Sequence, residues 1–334
     1  MAKTIRDIDY LVVSARIRAM ENQLLSADRI NRILDARSRE EVTKILLDCG
    51  YPDLDASHPD EMDAVLSESR RSMLADLTDS VPDPRYIDIF KLKYDYHNVK
   101  AILKAQAMGV SPKRMLMDMG RVSAEELRAA VEGGNTAALP PMLADAAAEA
   151  KEVLNTTRDP QLSDILLDKW YYRELSHIAK ETGSYFLQGY VRVQIDAANL
   201  RTLVRTVRMG KGGEFLKGVL FEDGEITPDA LERIASARGT GLAELYAPTC
   251  LDTAAEVGAG VLKGGSLTEF EKRCDDAVSE YLSGAAMVPF GEAPLVSYLA
   301  ARETEYTNLR ILLMGRAAGL DADVIRSRLR DVPM

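Results

Sequence analysis

Apolar residues recur along this chain at helical spacing, and in three places the polar residues between them repeat as well. The three stretches are Asp95-Tyr-His-Asn98-Val-Lys100, Asp196-Ala-Ala-Asn199-Leu-Arg201 and Glu305-Tyr-Thr-Asn308-Leu-Arg310. Counting from each Asn, apolar side chains fall at +1, +4 and +5: Val99, Ile102, Leu103; Leu200, Leu203, Val204; Leu309, Leu312, Leu313. That is the 3.6-residue period, without the alternation of a strand. No proline interrupts residues 85–111, 161–227 or 295–332, so a long helix is predicted through each motif. A glycine follows each Asn by eleven positions (Gly109, Gly210, Gly319), where a left-handed C-terminal cap would suit it.

The acids lie 101 and 109 residues apart, so the chain reads as three related units, expected at 1–117, 118–223 and 224–334. A second correspondence supports the repeat. Val122-Ser-Ala-Glu-Glu-Leu127 and Ile226-Thr-Pro-Asp-Ala-Leu231 are matched helix starts, each with an apolar residue, a Ser or Thr cap and acid in the first turn. At about 100° per residue, the acid and the Asn of each motif share the face of the apolar residues. They are expected to point inward, where a carboxylate or amide must find partners or cost free energy. A polar active site is one reading. A satisfied network joining helices is the better one, because a catalytic site is seldom needed three times in one chain.

The remaining pattern is also helical. Tyr10, Val13, Ile17, Met20 and Leu24 predict a helix over 8–25; Ser26 or Asp28 caps the next, and Ser38 to Glu41 has the form of a capping box. Further helices are expected near 61–77, 85–108 and 143–154, from Pro160 onward, through Phe270, Val278 and Leu282, from Pro294, and over 321–330. The aromatic cluster at Trp170-Tyr-Tyr and Tyr185-Phe-Leu reads as packing between helices. No strand run is evident, and the fold class is all-α.

Composition narrows the function classes. With 46% hydrophobic and 28% charged residues in 334, the chain is an ordinary globular protein of two or three domains. A net charge of −10 argues against nucleic acid as a partner. Cys49, Cys250 and Cys274 are too scattered for a disulfide framework or a zinc site and point to a reducing compartment. The opening Met1-Ala-Lys-Thr-Ile-Arg6 leads into no apolar core of a signal peptide, and no run approaches a membrane span.

Chemistry-bearing motifs are weak. Gly210-Lys-Gly-Gly213 does not meet the phosphate-loop pattern, and Asp275-Asp276 lacks the third carboxylate of an aspartate-rich magnesium site, so the pair reads as a solvated helix face. His58, His97 and His177 stand beside neither one another nor a Cys. No catalytic, cofactor-binding or metal-binding residues are assigned, and no cofactor is expected. The positions singled out are structural: Asp95, Asn98, Gly109, Asp196, Asn199, Gly210, Glu305, Asn308 and Gly319.

These residues resemble a known family. The opening 10–34, with Ala15-Arg-Ile-Arg-Ala-Met-Glu-Asn-Gln-Leu-Leu25, together with Tyr94-Asp-Tyr-His-Asn-Val-Lys100 and the closing Glu305-Tyr-Thr-Asn-Leu-Arg-Ile-Leu-Leu-Met-Gly315, is similar to the C subunit of V/A-type rotary ATPases, whose eukaryotic relative is the d subunit. The second motif carries less of the likeness, having Ala197 and Ala198 where the first has an aromatic and a His. The resemblance implies three similar helical bundles around a pseudo-threefold axis, forming a funnel. It implies a non-catalytic part of the central stalk: a socket coupling the membrane rotor ring to the shaft for proton-driven ATP synthesis or ATP-driven ion pumping. The implied partners are the rotor-ring proteolipid and the shaft subunits, and the implied location is peripheral, on the cytoplasmic face of the cell membrane through protein partners. Two other readings stand beside it: a freestanding helical-repeat adaptor for helices or peptides, and a helical enzyme whose repeated carboxylates converge on a metal.

Overall fold

The computed structural model describes residues 5–54 and 58–332. Every regular element among them is helical, as the periodicity predicts. In chain order the α-helices are α1 (Leu11–Glu21), α2 (Ala27–Asp35), α3 (Arg39–Asp48), α4 (Pro59–Thr78), α5 (Arg85–Met108), α6 (Ala124–Gly133), α7 (Pro141–Thr157) and α8 (Pro160–Thr182). There follow α9 (Tyr185–Arg208), α10 (Gly213–Val219), α11 (Pro228–Ser236), α12 (Leu242–Tyr246), α13 (Asp252–Val261), α14 (Leu267–Ser283), α15 (Glu292–Ala317) and α16 (Ala322–Arg326). The motif helices are α5, α9 and α15. Residues 1–4, on which the reading of the N-terminus partly rests, lie outside the described residues.

The chain forms two compact units. One comprises Pro84–Thr206 and Gly210–Ser236. In it α5 packs on α6, α7 and α8, α7 lies along α8, and α10 pairs with α11. Val99 and Ile102 of α5 and Leu200, Leu203 and Val204 of α9 are fully buried, which is the stripe the spacing requires. Tyr96, Tyr171, Tyr172 and Phe221 form a chain of ring contacts, with centroids 4.3 to 5.8 Å apart. Tyr171 and Tyr172 of that run therefore do pack against rings of other segments. Tyr185 does not: as the first residue of α9, just after Ser184, whose hydroxyl caps Leu187 N–H, it is 90% exposed.

The other unit comprises Met1–Asp83, Val207–Met209 and Ala237–Met334. Its core joins the two ends of the sequence: Leu309, Leu312 and Leu313 of α15 pack with Leu25, Ile33, Ile45, Leu46, Tyr51 and Met62 of the N-terminal helices. Burying a side chain of this size contributes about 1.5–3 kcal/mol. The pairing of distant segments is thus driven by the same apolar stripe that defines the motif. Three local departures from the expected pattern have physical causes. The first helix stops at Glu21, short of Leu25, because Leu25 N–H is taken by a distant carboxylate instead of a helical carbonyl. Glu41 completes its capping arrangement with Arg37 N–H, one residue further back than the box requires. And α13 forms through Gly258 and Gly260, with Ala254, Ala255, Gly258 and Val261 buried at helical spacing in a helix that packs on α12 and α14.

Candidate functional site

All six motif acids and amides are buried, none more than 2% exposed. Each Asn makes the same two bonds to one backbone unit. Asn98 donates Nδ2–H to Met117 C=O and accepts Met117 N–H at Oδ1, both at 2.8 Å. Asn199 does so with Phe221, both at 2.9 Å, and Asn308 with Arg330, both at 2.8 Å. A primary amide is the only uncharged side chain that presents a donor and an acceptor in the geometry of a peptide group, which explains the residue type. The helix ends are equally regular. Gly109, Gly210 and Gly319 have φ of 66°, 71° and 70°. In each case the next residue's N–H bonds a carbonyl five positions back: Val110 to Ala105, Lys211 to Thr206 and Leu320 to Gly315. That is the Schellman closure.

The acids then hold the helix start that follows each loop. Asp95 Oδ1 accepts Arg121 N–H at 3.0 Å and Val122 N–H at 3.3 Å, immediately before the Ser123 cap. Asp196 accepts Glu225 N–H at 2.9 Å and Ile226 N–H at 3.1 Å, immediately before Thr227 and Pro228. The third acid has its match at the other end of the sequence. Glu305 Oε2 accepts Leu25 N–H at 2.6 Å, and Leu25 precedes the Ser26 cap of α2. Leu25-Ser26-Ala27-Asp28 is therefore the third apolar–cap–acid start, a correspondence hidden because it stands before the first motif rather than after the third.

Several residues of these arrays lie outside the motif. A side chain at Gly120 would begin 2.1 Å from Asp95 Oδ1, and one at Gly224 would begin 2.3 Å from Asp196 Oδ1. Both glycines stand three places before their cap residue, a signal present in the sequence but visible only once the starts are aligned. Glu305, one methylene longer, serves the start in which Gln23 holds that position.

The electrostatic settings differ. Arg121 spans two buried acids, Nε to Asp95 and Nη1 to Glu174, each at 2.7 Å, and Tyr96 O–H donates to Glu174 at 2.7 Å. Burial pushes the Asp95 carboxyl up, and the Arg121 charge opposes it. Burial works against the Arg121 cation, but Glu174 and Asp95 outweigh it and hold it above its ordinary value. At Asp196 burial again raises the carboxyl, here to about 6, opposed mainly by the Glu225 and Ile226 N–H donors. Glu305 Oε1 accepts from Tyr51 O–H and, at 2.5 Å, from Arg302. The Arg302 guanidinium lies 5.1 Å from the ring centres of both Tyr51 and Tyr306. Burial and the neighbouring carboxylate push the Tyr51 hydroxyl up, so it remains a donor.

The carboxylates of these arrays are buried and accept hydrogen bonds from the chain's own groups, which suits them to positioning its segments. Among the described residues no three His, Cys, Asp or Glu side chains gather as a metal site. Of the Asp275-Asp276 pair, Asp275 is half-exposed and Asp276 is largely covered. Asp275 accepts from Arg330 at 2.5 Å, and Asp276 accepts from Lys272 at 2.7 Å and from Asp331 N–H at 3.0 Å. No described helix is long and apolar enough to cross a membrane.

A helical protein built by repetition, with buried polar groups spent on joining its own segments, belongs to the class of structural subunits and scaffolds. Residues 13–328 match the ATP synthase (C/AC39) subunit family, and the chain belongs to that family. Among its relatives is the C subunit of the V-type sodium ATPase of Enterococcus hirae, 25% identical with 97% of this chain and 99% of the relative covered. The C subunit of the A-type ATP synthase of Methanocaldococcus jannaschii is 27% identical over 96% and 86%, and that of the V-type ATP synthase of Thermus thermophilus 24% identical over 93% and 95%. Membership of this family makes the chain a non-catalytic component of a multi-subunit ATPase complex.

Proposed function

We propose that the chain is the central-stalk socket of a V/A-type ATP synthase, joining the membrane rotor ring to the shaft. Its partners are the ring proteolipid and the shaft subunits, and it sits peripherally on the cytoplasmic face of the membrane. There it serves proton-driven ATP synthesis or ATP-driven ion pumping without binding nucleotide itself. The observation that carries the mechanistic part is the threefold recurrence of one buried join. A part that transmits torque must not yield between its segments. Close-packed helices tied by hydrogen bonds between buried polar groups supply that stiffness. In this reading Asp95, Asn98, Asp196, Asn199, Glu305 and Asn308 hold successive helical segments in register, and the three glycines fix where each long helix ends.

The test is affinity purification of the tagged chain from gently solubilised native membranes, with mass spectrometry of what accompanies it. The proposal expects the ring proteolipid and the shaft subunits. Recovery from the soluble fraction alone with unrelated partners would instead support a freestanding adaptor.

A further inference from the structure

The loop that Asn98 pins is amphiphilic in a way its structural role does not require. Met108 is 73% exposed and Val110 51%, and Met115 and Met117 are 40% and 39% exposed. Lys113 and Arg114 stand exposed between them, and no acid occurs from 109 to 117 in a chain of net charge −10. Neither basic side chain forms an ion pair among the described residues. Asp118 accepts Ala124 N–H, and Glu125 binds Arg128, with only a smaller electrostatic pull from Lys113. The loop is nonetheless held in shape by the Asn98–Met117 pair, by the His97 ring against Met115 C=O at 2.9 Å, and by Met115 N–H on Pro112 C=O at 2.7 Å. Four apolar side chains are thus presented to solvent by a fixed backbone, with two cations among them.

We propose that this loop, residues 108–117, docks on an anionic lipid surface, its methionines and Val110 entering the headgroup layer while Lys113 and Arg114 pair with phosphates. The charge complementarity is local and opposite in sign to the chain as a whole, which rules out a generally acidic protein adhering through net charge. Methionine suits a fluid contact because it is unbranched and adaptable. Basic residues beside exposed apolar ones are the two components of interfacial binding. Weaker forms of the pairing recur beside the other two glycines. Met209 (60% exposed) precedes Gly210 and exposed Lys211 follows it, while Leu320 and Val324, each 40% exposed, follow Gly319 with Arg328 exposed beyond. The inference rests on the loop's chemistry and not on the stalk assignment.

Co-sedimentation of the full chain with phosphatidylcholine vesicles, with and without phosphatidylglycerol, tests it. Binding should need the anionic lipid. K113E/R114E should lower the affinity by about tenfold or more, each basic side chain near such a surface contributing roughly fivefold. M108S/M115S should also weaken binding, and K44E/K263E, the same charge change at exposed sites elsewhere, should leave most of it. Equal binding to both vesicle types, no binding to either, an unchanged M108S/M115S, or equal losses in K113E/R114E and K44E/K263E would each overturn the proposal. Absence of vesicle binding would point to a protein surface as the loop's partner.

Discussion

Asp95 and Asp196 occupy the same place on their helices and receive the same two backbone N–H groups, yet they sit in different electrostatic settings. Asp95 is bonded by Arg121, which is itself shared with the buried Glu174. The donors that chiefly oppose burial at Asp196 are the Glu225 and Ile226 amides, and its carboxyl stands at about 6. The Arg192 charge also favours the Asp196 carboxylate, but less than those two amides do. What a buried cation adds is a fixed charge balance, which leaves the join less dependent on pH but intolerant of losing either partner.

The largest test of this difference is Arg121→Leu. It strands two buried carboxylates and should cost about 3–5 kcal/mol in chemical denaturation; a loss under about 1 kcal/mol would mean the array is not electrostatically closed. Next comes the pH dependence of the Asp196 join. Its folded pKa, about 6, lies above the ordinary aspartate value of 3.8. Between those values the folded chain keeps a proton that the unfolded chain has released. The contribution of Asp196 to stability therefore falls as pH rises through this window, by ~3 kcal/mol, and is level above it. Wild type measured against Asp196→Asn, from about pH 4 to about pH 7, should show that decline.

Smaller effects test whether the three joins are equivalent. Asn98→Leu and Asn308→Leu each remove both side-chain bonds to a part-buried backbone unit and should cost about 1–3 kcal/mol. Unchanged melting temperature and unchanged ATP-driven pumping in both would remove the amides from the account. Gly319→Ala, at φ 70°, should cost about 1 kcal/mol in thermal unfolding. The same change at Gly284, with φ −56°, should cost less.

Much of this is legible in the chain. The apolar spacing around Asn98, Asn199 and Asn308 marks a helix in each case, and the inward turn of the acid and amide follows from about 100° per residue. Where the bonds go is not. Met117, Phe221 and Arg330 offer only their backbone, so their side chains share no type, and Leu25 lies 280 positions from Glu305. Arg121, Glu174, Tyr51 and Arg302 serve one join each, and a partner used once leaves no repeat to detect. Helix α13 is obscured differently, because its buried face is mostly Ala and Gly, which carry little periodic signal.

Each motif Asn is bonded to one specific backbone unit. Native-state amide hydrogen exchange at Met117, Phe221 and Arg330 tests these joins most directly, in wild type and in Asn98→Leu. Protected amides are expected at all three positions in wild type, and loss of protection at Met117, with Phe221 and Arg330 retained, in the variant. Fast exchange at all three in wild type, or full protection of Met117 in Asn98→Leu, would contradict that expectation.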